Sequence, residues 1–164
     1  MKKIVILLCI FWMGFIFYMS SNNGEISHEQ STKVVDLIEN KASSQNFNVT
    51  TNTNKKTVQT QQIKDNKLDY IVRKNAHAFM YMVLAILVSG MFFNFNKKGK
   101  GILIYILFIC LLYAVTDEFH QSFVPGRTSL VSDILVDFGG ALIGLTLFYL
   151  MYYKIYPRFI SNKK

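Results

Sequence analysis

Cysteine is scarce in this chain, and what there is stands in the wrong places for chemistry. Cys9 and Cys110 are the only two. Each lies inside an apolar run, where cysteine behaves as a small hydrophobe, so neither a disulfide framework nor a thiolate metal site follows. There is no serine on a nucleophile elbow, no His-x-x-x-His pair and no Gly-rich phosphate loop. The familiar hydrolase, zinc-protease and nucleotide-binding readings therefore have no foothold. No long internal repeat is visible. After Met19 comes Ser-Ser-Asn-Asn-Gly, which lacks a small-x-small cleavage site, so the first apolar run is expected to stay as a helix and not to be removed as a signal peptide.

What is present is apolar and clustered. Hydrophobic residues make up 51% of the 164 and fall in four blocks, Ile4–Met19, Ala76–Phe95, Gly101–Thr116 and Leu130–Tyr153. A soluble helix of this length would carry a charged face; these blocks are apolar nearly all round. A spanning helix needs about 20 mostly apolar residues, which the second and fourth blocks supply and the others reach with their polar flanks. The expected fold is all-α: an integral membrane four-helix bundle. It divides into a first transmembrane helix over 1–19, a loop over 20–75, and a three-helix membrane region with a short tail over 76–164.

Acid is missing from one side of that bundle. Lys2 and Lys3, then Lys97, Lys98 and Lys100, then Lys154, Arg158, Lys163 and Lys164 give nine bases and no acid, while all ten acids and the other nine bases fall on the opposite side. Short Lys/Arg-rich segments stay cytoplasmic, so both termini are expected inside and the 20–75 loop outside. The basic residues suit anionic lipid heads, and no nucleic-acid partner is expected. Within the loop, Ser27-His28-Glu29-Gln30 resembles a capping box ahead of a short amphipathic helix. Lys41–Asn66 is so rich in Asn, Thr, Gln, Ser and Lys that a disordered linker is expected.

The chemistry gathers between the last two spans and at the start of the second. Asp117, Glu118, His120 and Gln121 end the third block, Val124-Pro125-Gly126-Arg127 reads as a turn, and Thr128 or Ser129 is placed to cap the fourth span. Asp117, His120 and Gln121 share one helical face. Lys74 and His77 open the second span, with Arg73 one turn above His77 and Tyr81 one turn below. Asp133 and Asp137 are followed on their own stripe by Gly140 and Gly144, a small-xxx-small surface for close helix packing. Ionisable groups at membrane depth are costly unless paired or facing a polar cavity, so these three helices are expected to share a pocket.

Two mechanisms fit. In one, His77, Asp117, Glu118 and His120 act as acid/base groups or hold a divalent cation. Lys74, Gln121, Arg127, Asp133 and Asp137 then bind substrate, with Arg127 and Lys74 clamping a phosphate. The substrate on this reading is a membrane lipid or lipid-linked phosphate arriving from the outer leaflet. In the other, the charges neutralise one another and the bundle is a scaffold that binds lipid or a partner. No cofactor is called for and no metal site is assigned, since Asp-x-x-His is a common accident. A proton-coupled transporter would need polar residues across the whole bilayer, and here they stop near one face.

With these residues in view, the chain resembles the VanZ-like family of small bacterial membrane proteins. The resemblance runs from Phe17-Tyr18-Met19-Ser20-Ser21 through Arg73-Lys74-Asn75-Ala76-His77-Ala78-Phe79-Met80-Tyr81 and Asp117–Arg127 to Asp133–Gly140. It implies a multi-pass protein of the bacterial cell membrane with work at the cell envelope, because the family's name comes from a protein linked to teicoplanin resistance.

Overall fold

The computed structural model describes residues 2–22, 33–34, 55–97 and 99–155. Among them there is no strand. Four long helices carry the fold: α1 (Lys2–Ser20), α2 (Lys55–Asn94), α3 (Lys100–Gln121) and α4 (Val131–Leu150), the last running into a π-helical turn at Met151–Ile155. Each contains a stretch long and apolar enough to cross a membrane, over Lys2–Ser20, Tyr70–Asn94, Gly101–Gln121 and Val131–Lys154. Large side chains such as Phe11, Ile104, Phe108 and Val131 point outward. An apolar exterior over a bundle of this length is what a hydrocarbon solvent requires.

Two boundaries differ from expectation. The second span begins at Tyr70, not at Ala76, because Arg73 and Lys74 are tolerated near a helix end where long basic side chains reach the interface. The linker expected over 41–66 is also only partly available to compare. Residues 55–66 are helical and continuous with α2; once the span nucleates the helix, each further residue adds a hydrogen bond at little cost, even in a polar sequence. Residues 41–54 and the short helix expected after Ser27 lie outside the described residues.

The chain runs up and down, so the ends of α1 and α3 meet the starts of the α2 and α4 spans at one end of the bundle. There the core is polar. At the other end Phe93, Phe148, Tyr149, Tyr152 and Tyr153 pack edge-on and stacked, an aromatic cluster of the kind that marks a membrane interface. Asn96 closes α2 there with φ 59° and the paired bonds Asn96 N–H to Phe93 O and Lys97 N–H to Phe92 O, a Schellman ending. Between the two ends the core is Ile16, Leu84, Ala85, Val88, Ile106, Cys110, Ala114 and Ala141.

The tightest contact is between the parallel helices α2 and α4. A Cβ built on Gly140 would lie 2.0 Å from the Ala78 carbonyl oxygen, and one on Gly144 would lie 2.2 Å from that of Met82. The small-xxx-small stripe therefore seats directly on the α2 backbone, as its spacing predicts. That seating positions the site: Asp137 is one turn above Gly140, and His77 is next to Ala78.

Candidate functional site

Three helices bring a ligating side chain to one point inside the polar end. His77 of α2, Asp117 of α3 and Asp137 of α4 each offer an atom within 4.8 Å of the others. Asp117 is 2% exposed and Asp137 1%. His77 Nδ1 stands 3.7 Å from Asp137 Oδ1, too far for a hydrogen bond. Among the described residues neither oxygen of Asp137 has a hydrogen-bond partner, nor has Asp117 Oδ1 or the hydroxyl of Tyr81. Tyr81 lies one turn deeper than His77 on α2 and is fully buried.

The other oxygen of Asp117 is held firmly. Ser20 Oγ donates to Asp117 Oδ2 at 2.7 Å, and Gln121 Nε2 donates to the same oxygen at 3.1 Å. Arg127 Nη1 donates to Gln121 Oε1 at 3.0 Å, which fixes the amide so that its NH₂ end faces the carboxylate. Arg127 also donates from Nε to Asn22 O and from Nη2 to Met19 O, tying the end of α1 to the loop after α3. That loop is the expected turn. Arg127 N–H bonds back to Val124 O, with Pro125 second and Gly126 third at φ 75°, the arrangement of a type II turn.

A pocket of about 110 Å³ opens beside this cluster, room for several waters or one tetrahedral oxyanion. Arg73, Lys74 and His77 of α2, Asp133 and Asp137 of α4, and Gln121 and Arg127 line it. Arg127 sits in the loop between the third and fourth spans. Burial first, and the neighbouring Arg73 charge second, pull its pKa below the usual guanidinium value, while Asp117, Glu118 and Asp133 oppose the shift. It stays charged at any ordinary pH. Two guanidinium groups thus share one wall of a half-buried pocket.

Several expected site residues are occupied otherwise. Lys74 Nζ pairs with Asp133 Oδ1 at 2.6 Å and lies over the Tyr70 ring, so its charge is matched by an acid on α4. His120 turns to the end of α1, with Nε2 3.1 Å from Ser21 Oγ and its ring against Phe17. It shares the α1-facing side of α3 with Asp117 and Gln121, as the spacing implied, but does not line the pocket. Glu118 is buried as a cap: its Oε1 accepts the Leu130 N–H at 2.6 Å, at the start of α4, and its carbonyl accepts Ser129 Oγ. Neither Thr128 nor Ser129 caps that helix; the N-cap position is Leu130, with no side-chain cap of its own. An acid from the preceding helix does the work because the tight turn folds α3 back onto the α4 start.

This arrangement makes a direct prediction for Glu118. Glu118→Gln keeps an acceptor for Leu130 but loses the charge assistance, at a cost of about 1 kcal/mol. Glu118→Ala leaves a part-buried N–H without its acceptor and costs about 1–3 kcal/mol. Thermal melting in detergent should fall in that order, while ligand binding by the folded Glu118→Gln protein stays at the wild-type level. Loss of binding without loss of stability would return Glu118 to the list of reacting groups.

The sequence did not single out Ser20 and Arg73 as site residues. Ser20 is fully buried and completes the Asp117 network. Its signal was a polar residue at the very end of an apolar run, which also suits an ordinary interface position. Arg73 stands out in the sequence by its helical spacing from His77 and as part of the segment that carries the family resemblance.

Fold and site together define a multi-pass membrane protein with a buried acidic–imidazole cluster at one end of a four-helix bundle. The chain belongs to the VanZ/LLP1 family, whose model matches residues 5–152. No curated protein and no solved structure matches it significantly.

Proposed function

We propose that this is a protein of the bacterial cell membrane whose pocket binds the phosphate of an envelope lipid at the outer face, and that through this lipid it contributes to resistance against teicoplanin-type glycopeptides. The observation that carries the reading is the pair Arg73 and Arg127 lining one small pocket at the polar end. Guanidinium groups offer a planar fork to phosphate oxygens, and two of them at the polar end of a membrane bundle match a lipid headgroup better than a soluble ligand. The orientation rests on charge. Nine bases without acid stand in the terminal and central segments of the sequence, and those of them that the structure describes, such as Lys2, Lys3, Lys97 and Lys154, lie at the opposite, aromatic end. Such segments stay cytoplasmic. The family supplies the envelope context.

Binding is favoured over catalysis as the role of this pocket. Of the four candidate acid/base groups, Glu118 caps a helix and His120 packs on α1, which leaves His77 lining the cavity and Asp117 behind it in the cluster. The test is the lipid itself. Protein purified from bacterial membranes in mild detergent and washed exhaustively should retain a stoichiometric phosphate-bearing lipid, read by organic phosphorus and lipid mass spectrometry. Retention of neutral glycolipid alone, or of no lipid, would favour the scaffold reading.

A further inference from the structure

We propose that His77, Asp117 and Asp137 form a binding site for one divalent transition-metal ion, Zn²⁺ or Mn²⁺, set between α2, α3 and α4 with an open position toward the pocket. This goes beyond the lipid reading and does not depend on it.

The first ground is convergence. One donor atom from each of three helices meets within 4.8 Å, and the 3.7 Å between His77 Nδ1 and Asp137 Oδ1 has a specific meaning. Two atoms each about 2.1 Å from a tetrahedral ion stand about 3.4 Å apart, and further apart in wider geometries. The observed spacing is too long for a hydrogen bond and close to that value. A nitrogen with two carboxylate oxygens is a donor set for Zn²⁺ or Mn²⁺ more than for Mg²⁺ or Ca²⁺, which take oxygen almost alone.

The second ground is independent of spacing. Asp137 is 1% exposed, and neither of its oxygens has a hydrogen-bond partner among the described residues; Asp117 Oδ1 and the Tyr81 hydroxyl are in the same position. Buried polar atoms are nearly always satisfied, and an exception in a cluster asks for a missing partner. For Asp137 the ionisable contact at its oxygens is the His77 ring at 3.7 Å, which gives a buried carboxylate charge but no hydrogen bond. Asp117 shows the pattern expected of a ligand whose orientation is set from behind: Ser20 and Gln121 hold Oδ2, Arg127 holds Gln121, and Oδ1 is left facing the cluster. Metal-binding carboxylates are ordinarily fixed by such outer partners.

The third ground is charge. In the cluster two carboxylates, Asp117 and Asp137, meet one imidazole, and the nearby Lys74 is already matched to Asp133. A divalent ion on neutral His77 and the two inner aspartates offsets their charge. It also gives a phosphate in the pocket a further cation to meet.

The competing account is a proton shared among Asp117, Asp137 and His77, with no ion. The experiment separates the two. Wild-type protein in detergent is stripped with chelator, freed of it, and titrated with Zn²⁺ alone and with Mn²⁺ alone, following Mn²⁺ by its paramagnetic resonance signal and Zn²⁺ by calorimetry. One saturable site per chain is expected, with a rise in melting temperature on loading. Asp137→Asn keeps the shape and removes the charge; it should weaken binding by at least about two orders of magnitude, since even partners behind a ligand are worth about 10–100-fold. His77→Gln should do the same, which covers the case in which Asp137→Asn does not accumulate. Lys154→Gln, at the opposite end of the bundle, should bind like wild type. Absence of a saturable site in the wild type, or wild-type affinity in Asp137→Asn or His77→Gln, would overturn the proposal and leave the shared proton as the account. The readout needs no lipid, so it can succeed or fail separately from the phosphate reading.

Discussion

Gly140→Ala is expected to destroy the bundle, and Gly139→Ala to leave it intact or slightly stabilised. The two glycines are adjacent, and their surroundings are opposite. A Cβ on Gly140 falls 2.0 Å from the Ala78 oxygen, 2.7 Å from its carbonyl carbon and 2.9 Å from its Cα. All three are backbone atoms of a neighbouring helix, so no side chain can swing away. To restore van der Waals contact, α2 and α4 must separate by about 1.5 Å at that level, given the usual 3.5–4.0 Å between carbon atoms. In lipid this is severe, because helix association depends on close packing and gains nothing from hiding apolar surface. The separation also moves Asp137 away from His77, so whatever the cluster binds is lost with the packing. Gly139 has nothing within 4 Å of the added carbon, and replacing a mid-helix glycine by alanine favours the helix by about 0.8–1 kcal/mol. Fluorescence-detected size exclusion and thermal melting in detergent should show Gly140→Ala poorly accumulated or aggregated, with Gly139→Ala equal to wild type or above it. A well-folded Gly140→Ala protein would mean that the helices do not approach as closely as described.

The contrast between these glycines also shows what could be read from the sequence. The four spans, the Pro125–Gly126 turn and the Gly140/Gly144 stripe are local patterns, set by length, by fixed φ or by i, i+4 spacing, and each appears where its residues place it. The meeting of polar groups from several helices was also legible, as a consequence of the cost of isolated charge at membrane depth. What was not legible is pairing across helices. Spacing places Lys74, His77 and Tyr81 on α2 but does not say that Asp133 takes the lysine and leaves Asp137 facing His77. It places Glu118 beside Asp117 but not its carboxylate on the Leu130 N–H, because that contact depends on how tightly the turn returns the chain. Adjacent residues on a helix point about 100° apart, so Asp117 enters the core network while Glu118 serves the loop. The helical start of α2 at Lys55 escaped for a different reason: its composition is polar, and the helix there continues from a span set by residues far downstream.

Arg127→Lys is expected to empty the pocket while leaving the protein folded. Arg127 leaves the type II turn at a fixed point and spreads its donors in three directions, Nε to Asn22 O, Nη1 to Gln121 Oε1 and Nη2 to Met19 O. A lysine ammonium is a single point on a flexible stem and cannot reproduce a planar fork. Two consequences follow. Gln121 loses the contact that orients its amide toward Asp117, and the pocket wall loses one of its two guanidinium groups. A charge-assisted contact of this kind is worth about 1.5–3 kcal/mol, or about one to two orders of magnitude in affinity. Lipid phosphorus retained per chain after washing should therefore fall about tenfold or more, together with any glycopeptide phenotype at equal expression. Melting should fall modestly, because the ties to Asn22 and Met19 weaken while the turn's own bond from Arg127 N–H to Val124 O survives. If Arg127 only anchors the loop to headgroups, lysine serves as well, because both side chains reach the interface along apolar stems. Lys154→Arg at the opposite end supplies the control, and both readings expect it to be silent. Wild-type lipid retention in Arg127→Lys would remove the phosphate clamp and make the scaffold reading the better account of this pocket.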